Sequence, residues 1–245
     1  MDKILLVTGA TSEVGMQLVR EVYRNYKLVY LQYRTMNPSF QTMLEELRGK
    51  EESEIVLLQA DFSDEDSVAE MIEAIKSDGR IPNHVVHFPA PKAYNMQFNK
   101  DKWENFDMGW EISVHSIVSI LKAFIPNMAK QKYGRIVFML TSCTINNPPK
   151  YQSSYVTVKY ALLGLMKVLA VEYADRGITV NGVSPDMMET KFLSEIPEYI
   201  VEKNKENSPI GRNIYVEEVV PIMKYLLSDV AVAMTGQNIG VTGGL

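Results

Sequence analysis

The chain has 245 residues, 46% of them hydrophobic and 22% charged, enough to bury a full core. Its net charge of −5 argues against a nucleic-acid binder, which usually carries a basic face. A single cysteine, Cys143, rules out an intrachain disulfide and suits a reducing compartment. The opening MDKILLVTGA is too short an apolar run for a signal peptide, and no apolar run reaches ~18 residues, so neither a leader nor a membrane span is expected and the expected home is the cytoplasm.

Residues 3–8 (KILLVT) form a short apolar run without polar alternation, the pattern of a buried parallel strand. Gly9 ends it, and residues 13–25 place Val14, Leu18, Val19 and Val22 at helical spacing. A strand is expected at 28–33, a helix at 38–48 opened by Asn37-Pro38, and a third strand at 54–59. Ser63 to Lys76 reads as a capped helix, followed by a strand at 84–88. A long helical stretch runs from about 101 to 130 with a break near Gly109. Then come a strand at 135–141, a helix at 152–175 ended by Arg176-Gly177, and a strand at 178–183. Residues 186–212 read as a loop with short helices, 215–228 as a helix and 237–242 as a last strand. Strands alternating with helices predict a single-domain, doubly wound Rossmann-type α/β fold over residues 1–245, with seven parallel strands and helices on both faces.

Three stretches carry chemistry. Thr8 to Gly15 (TGATSEVG) sits between a strand end and a helix start, where a phosphate-binding turn belongs. Gly9 allows the tight turn, Gly15 the close helix packing, and Thr11 and Ser12 offer hydroxyl and N–H groups; the plainer role is a strand–helix turn. After the second strand stands Arg34, with no acid at the tip, which suits the extra phosphate of NADP better than NAD. Asp61 can accept a hydrogen bond from an adenine amino group or cap the next helix with Ser63. Tyr155 and Lys159, four residues apart, share one helix face, and a cation there lowers the phenol pKa toward usable proton transfer. Ser142 lies upstream on the preceding strand end. Metal ligands are not expected.

These segments, with GRIVFMLTS at 134–142, YVTVK at 155–159, RGITVNGVSP at 176–185, SPIGR at 208–212 and TGQNIGVTGG at 235–244, occur in order over nearly the whole chain. The chain resembles the short-chain dehydrogenase/reductase family, and within it the 3-oxoacyl-acyl-carrier-protein reductase-like ketoreductases; Tyr155 follows Ser142 by the family's usual 13 residues. The resemblance implies that Ser142 holds the substrate carbonyl, Tyr155 gives the proton and Lys159 lowers the Tyr pKa and holds the nicotinamide ribose. Ser113, aligned by counting back from Pro126, takes the place of the family's helix Asn. NADP(H) would lie along Gly9, Thr11, Ser12, Val14, Gly15, Arg34, Asp61, Phe88, Ala90, Pro185 and Thr190. Residues 186–212 would be the substrate lid, with Met187, Met188, Phe192, Ile196 and Tyr199 suiting an apolar substrate or packing beneath it. The implied substrate is a β-ketoacyl thioester on an acyl carrier protein. Lys132 and Arg176 match carrier-facing positions or are plain helix-end charges. A homo-dimer or tetramer is implied.

Four departures from the family stand out: Glu13 replaces the central Gly of the turn, His87-Phe88-Pro89-Ala90 replaces Asn-Asn-Ala-Gly, Ser113 replaces Asn, and Asp186 replaces the Gly after Pro185. A carboxylate beside a diphosphate repels it, unless Glu13 swings outward as a first-turn helix acid. Retained Ser142, Tyr155 and Lys159 beside an altered cradle leave three readings open: the carrier-linked ketoreductase, a cofactor-poor partner subunit of a hetero-oligomer, and a reductase of a free small ketone. His115, two residues beyond Ser113, reads as a helix-surface residue.

Overall fold

The computed structural model describes residues 2–47, 53–90, 95–191, 193 and 196–245. Among these, seven parallel strands form one sheet in the order β3-β2-β1-β4-β5-β6-β7. They are β1 Ile4–Thr8, β2 Leu28–Tyr33, β3 Glu54–Gln59, β4 His84–His87, β5 Gly134–Met139, β6 Ile178–Pro185 and β7 Asn238–Val241. The helices are α1 Glu13–Val22, α2 Pro38–Leu47, α3 Glu65–Asp78, α4 Trp103–Trp110, α5 Ser116–Gln131, α6 Ser153–Glu172, α7 Glu198–Asn207 and α8 Val216–Leu226.

Strands buried on both faces need apolar residues at every position. In β1, Leu5 and Val7 join a core with residues of α1, α2 and α8, while Leu6 joins a second core with residues of α3, α5 and α6. Burying each such side chain contributes ~1.5–3 kcal/mol, so the two layers clamp the sheet between helices. Strand order reverses between β1 and β4, and sheets of this kind bind ligands in the crevice outside the carboxyl ends of the strands at that point.

Four local expectations change. The break expected near Gly109 is a π-helical turn at Glu111–His115, which joins α4 to α5 without ending the helix. The α3 cap is Asp64, which accepts from Asp66 N; Asp61, three residues before that cap, instead accepts from Ser63 N at 3.0 Å. β5 stops at Met139 rather than 141, and a 3₁₀ turn follows at Ser142–Thr144. Two helical stretches, Trp103–Gln131 and Ser153–Glu172, are long and apolar enough to cross a membrane by length and composition, contrary to the sequence expectation. The apolar side of each packs in the second core, through Ile117, Ile120, Phe124 and Met128 of α5 and Val158, Leu162 and Met166 of α6, as core helices do.

Candidate active site

The β1–α1 turn is built from its own hydrogen bonds. Gly9 has φ +69°, a left-handed conformation, and a Cβ there would come within 3.2 Å of Phe88 and Pro89. Its N–H donates to Gln32 Oε1 at 2.7 Å, and Ala10 N donates to the Gln32 carbonyl at 2.9 Å. A Cβ on Gly15 would meet Ser12 Oγ at 2.8 Å and the Gly9 carbonyl at 3.0 Å. The Ser12 hydroxyl donates to Gly9 O at 2.9 Å and accepts from Gly15 N at 3.1 Å, so it caps α1 instead of offering its proton outward. The Val14 side chain is buried in the first core, leaving its backbone to face any ligand. The Thr11 carbonyl accepts from Asn37 Nδ2 at 3.4 Å.

Glu13 does not point into the turn. Its Oε2 accepts from Lys191 N at 2.8 Å and so ties α1 to the segment after Thr190. Thr190 donates its own hydroxyl to Met188 O at 3.3 Å, and Pro185 ends β6.

Beside the tips of β2 and β3 lies an open hollow of about 600 Å³ lined by Arg34, Thr35, Gln59, Ala60, Asp61 and Ser67. Asp61 accepts from Ser63 N and from Ser63 Oγ at 2.7 Å, bonds that hold its carboxyl below the usual range, with Arg34 adding to the effect. The hollow therefore presents one cation, a donor to a phosphate, and one carboxylate, an acceptor for a base or ribose N–H or O–H group.

His87 replaces the family's Asn with a bonded core group. Its Nδ1 pairs with Thr8 Oγ1 at 2.8 Å and its Nε2 with the Ser113 carbonyl at 3.0 Å. A carbonyl only accepts, so Nε2 carries the proton. Burial, with the Lys159 charge adding, pushes His87 down to about 3, which keeps it neutral. It thereby pins the π turn to β1. The hydroxyl of Ser113, fully buried in that turn, has no hydrogen-bond partner. Phe88 N donates to Thr8 O at 3.3 Å and its side chain is buried, while Ala90 is exposed. His115 is half-buried and lies 3.2 Å from Glu111 on the same helix.

Tyr155 and Lys159 lie in the first two turns of α6, with Lys159 Nζ 5.7 Å from the Tyr155 ring centre. Lys159 is buried, and its ammonium donates to the Met139 carbonyl at 2.8 Å. Burial pushes Lys159 down to about 8 and Tyr155 up to about 12, with the neighbouring Cys143 adding to the Tyr155 shift. The phenol, expected to be lowered, is raised here, and desolvation of the phenolate is the main cause.

Ser142 is placed differently from its expected role. Its Oγ donates to Asp186 Oδ1 at 2.9 Å, and Asp186 Oδ2 accepts from Asn204 Nδ2 on α7 at 2.8 Å. In the 186–212 segment, Met188 packs on the first core, Tyr199 is exposed, and Phe192 lies outside the described residues. Arg176 Nε pairs with Asp175 at 3.2 Å, and Lys132 ends α5. Sequence reasoning missed Gln32, the bonding of His87 and the Asp186 network; only the departures at 87 and 186 signalled the last two.

The cradle fits a nicotinamide dinucleotide: two glycines where a Cβ would be crowded, a hollow with a cation at the β2 tip, and a Tyr–Lys pair whose lysine is buried. A model of the family described as Enoyl-(Acyl carrier protein) reductase matches residues 9–245. The chain is 30% identical over 247 residues to the 3-oxoacyl-[acyl-carrier-protein] reductase FabG of Pseudomonas aeruginosa, covering 99% of this chain and 97% of that protein. It resembles in fold a solved short-chain type dehydrogenase/reductase from Mycobacterium ulcerans (TM-score 0.87, 24% identity, 100% and 90% of the two chains). It is also similar to a 3-oxoacyl-[acyl-carrier protein] reductase with bound NAD from Brucella melitensis (TM-score 0.84, 21% identity, 99% and 90%). With its Tyr–Lys pair at the switch point and a family match over nearly its whole length, the chain belongs to the short-chain dehydrogenase/reductase family of NAD(P)-binding oxidoreductases.

Proposed function

We propose that this chain is an NADPH-dependent ketoreductase that converts a β-ketoacyl thioester, carried on an acyl carrier protein, to the hydroxyacyl thioester. The observation that carries the reading is the Tyr155–Lys159 pair, with the buried Lys159 ammonium seated on the Met139 carbonyl. A phenol pushed up to about 12 keeps its proton at neutral pH, the state a reductase needs in order to donate it. A lysine pushed down to about 8 is still mostly cationic at pH 7 and stabilises the phenolate left behind.

NADPH, when bound, supplies a hydride to the carbonyl carbon and leaves as NADP⁺. Tyr155 gives its proton to the carbonyl oxygen and regains one from solvent. Lys159 also holds the nicotinamide ribose. Gly9, Thr11, the backbone of Val14 and Gly15 hold the diphosphate, with Ser12 shaping their turn; Arg34 meets the 2′-phosphate and Asp61 the adenine. Phe88 and Ala90 flank the adenosine side, and Pro185 and Thr190 the nicotinamide side. Residues 1–245 work as one domain in the cytoplasm, with 186–212 as lid. Exposed Val168 and Val171 on α6 support a homo-dimer or tetramer.

The test is NADPH oxidation with acetoacetyl-N-acetylcysteamine as the thioester and a free cyclic ketone as control. Turnover of the thioester supports the carrier-linked reading, and turnover of the ketone alone moves the assignment to a free-carbonyl reductase. Tyr155→Phe should abolish turnover while NADPH affinity stays similar. Absence of NADPH and NADH binding at millimolar cofactor sinks the reading and favours the partner-subunit role.

A further inference from the structure

Ser142 and Asp186 meet beyond the carboxyl ends of β5 and β6, and the backbone of each is held. The Ser142 carbonyl accepts from Ile145 N at 2.9 Å and from Asn146 N at 2.8 Å, which fixes it in the 3₁₀ turn after β5. Asp186 follows β6, and its N–H donates to the Val241 carbonyl of β7 at 3.1 Å. Between these fixed points the Ser142 hydroxyl donates to Asp186 Oδ1 at 2.9 Å. The other carboxylate oxygen, Oδ2, accepts from Asn204 Nδ2 on α7 at 2.8 Å. Asn204 also donates to Asn213 Oδ1 at 3.1 Å, and the buried Asn213 donates to Glu189 Oε1 at 2.8 Å. One oxygen of Asp186 thus takes the Ser142 proton, and the other is held by α7.

A hydroxyl has a single proton to donate. While that of Ser142 lies on Asp186, Ser142 turns only lone pairs to any other group, and lone pairs do not hold a carbonyl oxygen. A bond to a carboxylate is about twice as strong as one between neutral groups, so a neutral carbonyl competes poorly for the same proton. A site whose binding-competent state is a minor fraction loses affinity in proportion to that fraction.

We propose, on the ketoreductase reading above, that Asp186 is a positioning residue that withholds the Ser142 hydroxyl from the substrate carbonyl, with Asn204 of α7 holding the carboxylate in place. Ser142 remains the residue that meets the carbonyl. It does so by rotating its side chain, which exchanges one acceptor for another and transfers no proton. Asp186 acts on the reacting atoms only through Ser142, and it fastens α7 to the site in the empty chain.

Two measurements on the full chain decide it. Calorimetric titration of the NADP⁺ complex with acetoacetyl-N-acetylcysteamine reads carbonyl binding without turnover, because NADP⁺ has no hydride to give. Asp186→Ala should tighten that binding about tenfold, the low end for a hydrogen bond to a charged group. Asp186→Asn, which keeps the shape and removes the charge, should fall between the two. In a Ser142→Ala background the same Asp186→Ala change should move the affinity less than about twofold, since no proton is left to compete for. Unchanged or weaker binding in Asp186→Ala, or an undiminished gain in the Ser142→Ala background, overturns the assignment. The second measurement needs no ligand. Hydrogen exchange of the α7 amides should quicken in Asp186→Ala and, by a smaller factor, in Ser142→Ala. Exchange that matches the parent in both variants overturns the fastening of α7. A parent that binds no NADP⁺ and reduces no thioester defeats the ketoreductase reading; normal NADPH turnover without the gain in Asp186→Ala defeats the role of Asp186 alone.

Discussion

Lowering the pH from 7 to 5.5 is expected to cost the folded chain ~2.5 kcal/mol through two buried histidines. His84 and His87 are both buried and pushed down to about 3, mainly by burial, with Arg135 and Lys3 acting on the first and Lys159 on the second. Each is bonded at both ring nitrogens: His84 to Tyr26 OH at 2.7 Å and Tyr133 OH at 3.0 Å, His87 to Thr8 and the Ser113 carbonyl. The unfolded chain protonates its histidines near 6.5, so between 6.5 and 3 the unfolded state binds more protons and stability falls with pH. Well above 6.5 both states are neutral and the contribution is fully present. Over the window from pH 7 to 5.5, one such histidine loses ~1.3 kcal/mol by linkage. Carboxylates do not confuse that window. Asp61, Asp101, Asp229 and Glu218 all titrate lower than usual in the folded chain, so their contributions disappear only as pH falls below the ordinary carboxylate values near 4. The assay is urea unfolding followed by circular dichroism at the two pH values and fixed ionic strength. His87→Gln should be less stable than the parent at pH 7, yet lose only about half as much on going to pH 5.5. An unchanged unfolding free energy across the window, or an undiminished loss in His87→Gln, refutes the claim that these rings are held neutral.

Lys159→Met should abolish turnover but stabilise the fold at pH 7 by ~1–3 kcal/mol, read as a higher urea midpoint, because a lysine pushed down from its ordinary value to about 8 is a charge buried at a cost. A less stable Lys159→Met chain would show that the bond to Met139 O outweighs the desolvation. Glu13→Gln keeps an oxygen for Lys191 N but removes the charge beside the diphosphate turn. It should tighten NADPH binding about fivefold, equivalent to ~1 kcal/mol of Coulomb repulsion at solvent-exposed distances; equal or weaker binding by titration would mean the carboxylate is accommodated. Arg34→Ala should weaken NADPH binding tenfold or more and leave NADH nearly unchanged, since ~1.4 kcal/mol per decade is within one charged phosphate contact. An equal loss for both cofactors would remove Arg34 from the choice between them.

The strand runs and helical spacings were readable because sheet burial and helix amphipathicity are periodic in the chain itself: KILLVT and LVYLQY could only be strands with two covered faces, and Tyr155 and Lys159 share a face at any i, i+4 spacing on a helix. The turn glycines were readable for the same local reason, a positive φ at Gly9. What stayed hidden depends on residues far apart in sequence. Asp186 meets Ser142 across 44 positions, Lys191 meets Glu13 across 178, and His87 meets Ser113 across 26. Nothing in the spacing near Ser142 says that its proton is taken by a carboxylate that follows β6. Tertiary packing also set the sign of the Tyr155 shift. Proximity of a lysine was legible and argued for a lowered pKa, but the burial that raises it exists only once the chain is folded. Local periodicity determined the frame and put Tyr155 and Lys159 on one helix face; which groups meet Ser142, and in what electrostatic surroundings the pair sits, was decided by contacts that only the folded chain makes.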